Sequence, residues 1–342
     1  MASAAMTDLV REGSVTARAR LVSAVQRQGA LIALIALIVF GAVRYGPKFY
    51  SVYNVFDAFL NNNTYYALIA LGMTFVIISG GIDLSVGSVA VLAAVAAARL
   101  SVYGLWPALV GAMLIGLLVG SINGVLIARF GLQPFVVTLA MLLAARGAAL
   151  TLSDNAPVMV DFQQGFPQLG MIHVGPAPLP VVITAVLYVF GALLLNRTRF
   201  GRHVLAIGGN EEAARLAGIP IERTLLGVYG MSGALAGLAG AFLAALSFSG
   251  SPTGALGWEL SAIAAVVVGG TLLTGGVGSV GSTLIGVLLL GLIFVALNFE
   301  RGQGTFQLNA FWENVIRGVF LLIVVVFQSR LARAKGHGVR QG

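Results

Sequence analysis

Residues 72–88 read Gly-Met-Thr-Phe-Val-Ile-Ile-Ser-Gly-Gly-Ile-Asp-Leu-Ser-Val-Gly-Ser, two apolar runs separated by a glycine pair and a single acid. Glycine accepts positive φ, so the pair at 80–81 allows a helix to break. Asp83 can cap the helix that restarts, and Ser85 and Ser88 can return hydrogen bonds to freed backbone groups. The stretch therefore predicts an apolar helix that is interrupted and then resumes.

The composition around this stretch places the chain in a lipid bilayer. Of 342 residues, 58% are hydrophobic and 9% are charged, whereas soluble globular domains carry about 25% charged residues. Glycine occurs 45 times without a collagen-like period, as expected where small residues let membrane helices pack closely. A soluble fold is therefore excluded, and the interrupted helix lies in or near the membrane.

Because the interrupted helix lies in or near the membrane, Asp83 has two possible roles. Non-helical backbone is tolerated there only where it is buried in protein or faces a water-filled cavity. Asp83 is either a helix cap packed at the cytosolic edge or a direct contact for a passing solute, because an acid inside a membrane is a candidate functional residue. Both interpretations stay open from the sequence.

The hydropathy pattern predicts an all-α polytopic membrane protein. Crossing about 30 Å of hydrocarbon takes about 20 apolar residues. We expect residues 1–28 to form a cytoplasmic N-terminal tail rather than a signal peptide, residues 29–329 a transmembrane domain, and residues 330–342 a cytoplasmic C-terminal tail. About ten transmembrane helices, several of them Gly-broken, are predicted at 29–45, 55–79, 84–103, 106–128, 133–152, 179–196, 224–248, 259–273, 278–298 and 312–329.

The basic residues predict the orientation. With ten alternating spans and a cytoplasmic N-terminus, 14 of the 20 Lys and Arg residues fall on the cytoplasmic side, as the positive-inside rule requires. Both termini and a loop at 197–223 are then cytoplasmic, and a loop at 153–178 without Lys or Arg is external. These 14 residues are Arg11, Arg18, Arg20, Arg27, Arg129, Arg197, Arg199, Arg202, Arg215, Arg223, Arg330, Arg333, Lys335 and Arg340.

The residues that are rare or absent exclude several functions. Without Cys there is no disulfide, thiolate nucleophile or Cys-based metal site, and the three His residues form no metal motif. Neither Lys48 nor Lys335 follows the Gly of a P-loop, so the chain does not bind ATP through one. Basic residues spread over membrane edges disfavour nucleic-acid binding. We expect neither an enzyme nor a metal protein.

A short amphipathic segment interrupts the cytoplasmic loop. Asn210 can cap a helix, Glu211 and Glu212 suit its first turn, and Gly218 with Pro220 ends it. Because isolated helices of about two turns are unstable in water, this helix must pack against something. The membrane domain and a cytosolic partner are both open as that surface.

A second glycine-rich break and two charges complete the candidate features. Residues 269–281 mirror the first break with Gly-Gly and Val-Gly-Ser, which either relates two halves of a transporter or reflects chance in a Gly-rich chain. Arg146 is about 20 Å into its span at 1.5 Å per residue, at a depth comparable to Glu259. The two either pair and pin helices together or line a pathway. Glu313 and Arg317 are expected to pair at i, i+4.

Six stretches together resemble the permeases of bacterial monosaccharide ABC importers, the branch with ribose, xylose, arabinose and galactofuranose permeases. The segment 209–219 resembles their cytoplasmic coupling segment, and the resemblance covers about residues 30–330. Residues 269–279 with Asn298 and Phe299 look most like a galactofuranose importer permease. The other stretches are 72–88, Asn123-Gly124, 133–139 with Arg146-Gly147, Thr198–Gly201 and Ala264–Ser279.

The resemblance implies a type II ABC importer-like permease fold in the bacterial inner membrane. Such a subunit forms the pathway for a monosaccharide delivered by a periplasmic sugar-binding protein. It pairs with a second permease, identical or homologous, and binds no cofactor, because ATP and Mg belong to a separate ATPase. The alternative is a stand-alone, ion-gradient-driven secondary transporter or channel, which would be expected to carry more acids or His within its spans.

The implied site residues form two groups beside the structural charges Arg146 and Glu259. Asn62 lies in an Asn-rich cluster that could bind sugar hydroxyls or start a helix, and Phe75 could stack on a sugar ring or pack in the core. Coupling to the ATPase is expected from Gly209, Asn210, Glu211, Glu212, Ala213, Arg215 and Gly218. The candidate translocation pathway comprises Asn62, Phe75, Ser79, Asp83, Ser85, Ser88, Asn123, Thr271 and Thr274.

Overall fold

The computed structural model describes residues 28–255 and 257–302, and after them only Trp312, Val315, Gly318, Val319 and Leu322. The predicted N-terminal tail up to residue 27, the C-terminal tail and the Glu313–Arg317 pair lie outside the described residues. Most of the last predicted span also lies outside them.

The described chain is a polytopic, all-helical membrane protein. Seven helices are long and apolar enough to cross a bilayer, and they overlap seven of the ten predicted spans. The helices are α1 (Gln28–Lys48), α2 (Asn62–Ile78), α3 (Val86–Leu100), α4 (Leu105–Ala128), α5 (Pro134–Leu152), α6 (Gln168–Met171), α7 (Leu179–Arg197), α8 (Arg199–Gly209), α9 (Glu211–Leu216), α10 (Ile221–Ser247), α11 (Trp258–Val268) and α12 (Val280–Gly302).

Two predicted spans differ from simple crossings. The span at 55–79 begins as a π-helix, Asn54–Asn61, and continues directly into α2. The span predicted at 259–273 is wrong in length, because α11 ends at Val268 after 11 residues. At 1.5 Å per residue this helix is about 16 Å long, too short to cross about 30 Å of hydrocarbon.

Helix α10 is the centre of the bundle and packs against α2, α3 and α4. Glycine makes the closest of these contacts possible, as expected for helices packed in lipid. A Cβ built on Gly233 of α10 would lie 2.9 Å from the Cα of Gly120 in α4, and one built on Gly72 of α2 would lie 2.9 Å from the Cα of Ser232. Larger side chains would separate these helices, so the glycine content sets the packing distance.

The external loop predicted at 153–178 has more structure than a loop. It contains α6 and three strands of two residues each: β1 (Val158–Met159), β2 (His173–Val174) and β3 (Ala177–Pro178). Strand β1 pairs antiparallel with β4 (Ser249–Gly250), just after α10, and β2 pairs with β3. The β1–β4 pairing attaches the segment to the end of the central helix, and the β2–β3 pairing lies within the segment.

Candidate functional site

The first break joins α2 to α3 through a buried polar network. Gly80 has φ +87°, as the sequence predicts for the break. The Asp83 carboxylate, 1% exposed, accepts hydrogen bonds at Oδ1 from the Ser85 backbone N–H (3.0 Å) and the Ser85 hydroxyl (2.6 Å). Its Oδ2 accepts from the Ser232 hydroxyl (3.2 Å), and Asn123 Nδ2 donates to Ser85 Oγ (3.0 Å). Asp83 thus connects the break to α10 directly through Ser232, and to α4 through Ser85 and Asn123.

The network bears on the cap role expected for Asp83. Its carboxylate accepts a hydrogen bond from the Ser85 backbone N–H, one residue before α3 begins. It also packs against α10, where Ser232 is eleven residues into the 27-residue helix, about 17 Å along a helix of about 40 Å. The Ser85 hydroxyl bonds to the carboxylate rather than to freed backbone groups. Ser88 lines a cavity described below.

The second break, residues 269–279, carries no such network. Thr271 is fully buried and its hydroxyl has no hydrogen-bond partner within the described part of the chain, whereas Thr274 is exposed. Gly270, Gly275 and Gly276 all have positive φ. A hydroxyl that is buried without a partner costs free energy, so Thr271 is available to a solute or water.

The two breaks, which the sequence relates only by similarity, contact each other. The Gly276 N–H donates a 2.9 Å hydrogen bond to the Ile78 carbonyl at the end of α2. Nearby, the hydroxyls of Thr74 and Thr283 are 2.9 Å apart and link α2 to α12. Segments separated by almost 200 residues thus form one region of the bundle.

The short helix predicted after Asn210 is confirmed as α9. The Asn210 side chain accepts a 2.9 Å hydrogen bond from the Ala213 N–H, and Glu211 pairs with Arg215 at 3.0 Å. The chain turns at Gly218, whose φ is +75°. Only Ala214 of this helix is buried, and Leu216 is 86% exposed. The predicted coupling residues Gly209, Asn210, Glu211, Glu212, Ala213, Arg215 and Gly218 are all exposed.

The sequence did not predict helix α8, which precedes α9 within the same loop. Thr198 caps it by accepting a hydrogen bond from the Gly201 N–H (3.2 Å). Val204 and Ile207 on one side of this helix are buried, while Arg202 is exposed. Apolar residues at i and i+3 were a usable signal for a helix lying on the membrane domain. The membrane domain is therefore the packing surface for α8, while α9 is left exposed.

Arg146 and Glu259 do not form the expected ion pair. Among the described residues, no carboxylate lies within 4.0 Å of Arg146, and its side chain faces a small cavity that Glu259 also lines. The Glu259 carboxylate instead lies against Gly87, at the start of α3. A helix N-terminus favours a negative charge, and Glu259 lies in the first turn of its own helix, α11, where the Gly257 and Glu259 backbone N–H groups bond to its carboxylate. Ser88 lines the same cavity.

Three other predicted pathway residues are engaged in local hydrogen bonds or in core packing. Asn62 Nδ2 donates to the Ala58 carbonyl (3.1 Å), and the Asn-rich cluster lies inside a continuous helix, so the interpretation as a helix-start loop is wrong. Phe75 is fully buried, 6.3 Å from the ring of Phe200. Ser79 donates to the Val76 carbonyl (2.8 Å).

Two residues of α10 complete the region around Asp83 and were missed by the sequence analysis. Ser232 binds the carboxylate, and the Tyr229 hydroxyl lies against Gly81 without a hydrogen-bond partner in the described residues. Polar side chains at i and i+3 in an otherwise apolar, Gly-rich span were the available signal. Asn123 Oδ1 is likewise buried and lacks a partner within the described chain.

Within the segment 153–178, which is predicted to be an external loop, His173 forms an ion pair with Asp57. His173 Nε2 lies 2.9 Å from Asp57 Oδ1, and its Nδ1 lies 2.9 Å from the Met171 carbonyl. Both partners are acceptors, so the doubly protonated ring satisfies both contacts. The hydrogen bond to Asp57 raises the pKa of His173 above its usual value. Within the described residues, no group of three or more His, Asp or Glu could hold a metal ion.

Comparison with known proteins identifies relatives over most of the chain. Residues 55–325 match a family described as "Branched-chain amino acid transport system / permease component". The ribose import permease protein RbsC of Escherichia coli K12 is 36% identical over 310 residues, covering 89% of this chain and 94% of that protein. RbsC of Bacillus subtilis 168 is also 36% identical, covering 89% and 93%.

The arabinose branch is similarly close. The L-arabinose transport system permease protein AraH of Escherichia coli K12 is 36% identical over 270 residues, covering 78% of this chain and 80% of that protein. No solved structure matches the chain at a significant level.

Proposed function

We propose, on the premise that this chain belongs to the permease-component family matched over residues 55–325, that it is the membrane subunit of an ATP-driven monosaccharide importer. The chain is a transport subunit and not an enzyme. The observation that carries the proposal is an exposed, rigidly capped cytoplasmic helix in a chain that lacks a P-loop. The chemical class of the solute comes from its relatives, which are named as ribose and arabinose permeases.

The coupling role is proposed for the segment 209–218 within the loop 197–223. Six residues do not form a stable helix in water alone, and the surface of α9 offers Glu211, Arg215 and the 86% exposed Leu216 to a partner. A separate ATPase that binds ATP and Mg supplies the energy. This arrangement requires the cytoplasmic orientation proposed for the loop and both termini.

The translocation pathway is proposed to run beside the two breaks and to be completed by a second permease, identical or homologous. Asn123 Oδ1 and the Thr271 hydroxyl are buried without protein partners in the described residues, so they can bond to solute hydroxyls. Ser88 and Thr274 offer further hydroxyls, while Asp83 and Ser85 hold the first break in shape. A neutral sugar needs such sparse polar groups, because it loses hydrogen bonds to water on entry.

The sugar itself is proposed to be galactofuranose, on the likeness of residues 269–279 to galactofuranose permeases. A periplasmic sugar-binding protein would deliver it to the external face, which includes residues 153–178. The family description favours branched-chain amino acids as a second candidate solute. The unpaired charges of Arg146 and Glu259 at one cavity would suit the carboxylate and ammonium groups of such a zwitterion.

Reconstituted transport tests the solute and the energy source together. The chain is placed in proteoliposomes with its ATPase and binding protein, and uptake of labelled galactofuranose, ribose, arabinose and leucine is measured with and without ATP. We expect ATP-dependent uptake of a monosaccharide and none of leucine. Uptake by the chain alone, driven by a proton or sodium gradient, would instead support the stand-alone secondary transporter.

A charge reversal on α9 tests the coupling role. Replacing Glu211 and Glu212 with Arg changes exposed residues without touching the bundle, so membrane insertion should be normal while co-purification with the ATPase is lost. Glu222→Arg, an exposed acid at the start of α10, is the matched control and should retain the ATPase. Unchanged association in the double variant would remove the coupling role from α9.

A further inference from the structure

Three glycine-bearing segments meet next to α9. They are the first break at Gly80, the C-terminal end of α8 at Gly208, and the second break at Gly275 and Gly276. We call these four residues the glycine junction. The sequence suggests a relation between the two breaks but nothing that brings α8 to them.

The junction is a contact between backbones, without side chains in between. A Cβ built on Gly275 would lie 2.8 Å from the Gly208 carbonyl oxygen and 2.9 Å from the Gly80 Cα. A Cβ on Gly208 would overlap the Ile78 carbonyl and lie 2.6 Å from the Gly276 nitrogen. Ordinary Cβ contacts are longer than 3.0 Å, so the close approach requires glycine at 208, 275 and 276, while Gly80 is favoured by its positive φ of +87°.

Helix α9 is joined to α8, which carries Gly208 of the junction, by a single residue. Gly209 ends α8 and Glu211 begins α9, with Asn210 between them. The Asn210 N–H donates to the Ala206 carbonyl (3.0 Å), while its side chain accepts from the Ala213 N–H (2.9 Å). The last turn of α8 and the first turn of α9 are therefore hydrogen-bonded through the same residue.

The other contacts of α9 are few. Ala214 alone among its residues is buried, and Ile219 follows it with partial burial. A force applied to the exposed surface of α9 is consequently carried by the Asn210 connection into α8. At Gly208 this force reaches both breaks. The contacts there are between backbones, so no side chain can rotate to absorb the displacement. Packed interfaces of this kind switch between arrangements rather than deform gradually.

We propose that the glycine junction makes α9 and the two breaks move as one unit, so that Gly208, Gly275 and Gly276 are the positioning residues that transmit ATPase movement to the pathway. This inference rests on the proposed function. Gly80 is three residues from Asp83, and Gly275 is four residues from Thr271. Displacement of the junction therefore reaches the carboxylate that holds the first break in shape and the hydroxyl proposed to bind solute.

Two matched pairs of alanine variants test the transmission in the reconstituted complex. Gly208→Ala is compared with Gly147→Ala in α5, where an added Cβ meets nothing within 4 Å. Gly275→Ala is compared with Gly270→Ala, because both positions have positive φ (+83° and +97°) but only Gly275 touches other segments. Backbone strain is thus matched within the second pair, and both positions of the first pair are helical.

The junction variants should retain ATPase association and lose the response to sugar-loaded binding protein. We expect stimulation of ATP hydrolysis and transport to fall about ten-fold or more in Gly208→Ala and Gly275→Ala, within the range of coupling between sites. The variants at 147 and 270 should resemble the unmodified complex. Equal behaviour within both pairs would overturn the proposal, whereas absence of ATP-driven transport in the unmodified complex would count against the proposed function instead.

Hydrogen exchange on the unmodified complex tests the proposal even where a junction variant does not fold. Nucleotide binding should change exchange in three peptides together, covering residues 76–85, 206–218 and 270–280, because α9 and both breaks shift as a unit. A change confined to 206–218 would overturn the proposal. Peptides from α5, which lies outside the junction, serve as the internal reference.

Discussion

The two breaks share a Gly-Gly and Val-Gly-Ser pattern but are built on opposite principles. The first is held by a buried carboxylate whose oxygens accept bonds from Ser85 and Ser232. The second is held by glycine backbone geometry and leaves the Thr271 hydroxyl without a partner among the described residues. Similar sequence patterns therefore give one rigid, internally satisfied turn and one turn with a polar group to spare.

Removing the Asp83 carboxylate should have the largest effect. Asp83→Ala leaves the Ser85 N–H and the Ser232 hydroxyl without acceptors, so the free energy of unfolding should fall by about 3 kcal/mol. Asp83→Asn keeps one carbonyl oxygen and should lose only about 1 kcal/mol. Thermal unfolding of the purified protein measures both, with Thr274→Ala in the exposed part of the second break as a control. Similar stability of Asp83→Ala and Thr274→Ala would mean that the two breaks are held in the same way.

The second break should respond in the opposite direction. Thr271→Val replaces a buried, unpartnered hydroxyl with a methyl group of similar shape, so stability should stay the same or rise by about 1 kcal/mol. Transport should nevertheless fall if this hydroxyl contacts the solute. Parallel measurements of unfolding and uptake separate these effects. A clear loss of stability would show that Thr271 is a structural group like Asp83.

A smaller effect on stability is expected at the cavity beside the first break, which Arg146 and Glu259 line. Because Arg146 and Glu259 are not in direct contact, a double-mutant cycle with Arg146→Gln and Glu259→Gln should give a coupling energy in stability below about 0.5 kcal/mol. The cycle is measured by thermal unfolding of the four proteins. A coupling energy of 1 kcal/mol or more would instead support the ion pair expected from the sequence.

The smallest effect is expected on the external face, remote from both breaks. The folded-state pKa of His173 is raised by Asp57, so the contact stabilises the fold fully below the unfolded pKa of about 6.5. This stabilisation is lost as pH rises through the higher folded value. NMR titration should give a lower pKa for His173 in Asp57→Asn than in the unmodified protein. An identical pKa in both proteins would rule out the pairing.

Local sequence signals predicted those parts of the fold that depend on neighbouring residues. Hydropathy located α1 to α5, α7, α10 and α12, and the capping pattern at Asn210 located α9, because insertion and capping are decided within a few residues. The length of α11 was wrong, since its composition stays apolar while the backbone leaves the helix at Gly269. Helix α8 was overlooked because only three of its residues, Gly201, Val204 and Ile207, form its buried side.

The candidate site was only partly predictable. Asp83, Ser85 and Asn123 were identified and meet in one network, yet Ser232, which binds the same carboxylate, is 149 residues away in sequence. Asn62, Phe75 and Ser79 were expected in the pathway, but helix bonds or core packing occupy them. Arg146 and Glu259 were expected to pair, and they line one cavity without a direct ion pair.

The sequence by itself determined that this protein is embedded in lipid, the approximate position of most of its helices and the cap of α9. Each of these depends on the transfer free energy or hydrogen bonding of adjacent residues. Only the tertiary structure decided which groups bond to Asp83, that α9 is exposed, which polar atoms lack partners among the described residues, and that Gly80, Gly208, Gly275 and Gly276 meet. Such contacts depend on how closely distant helices pack, and without side chains at the junction no local pattern records them.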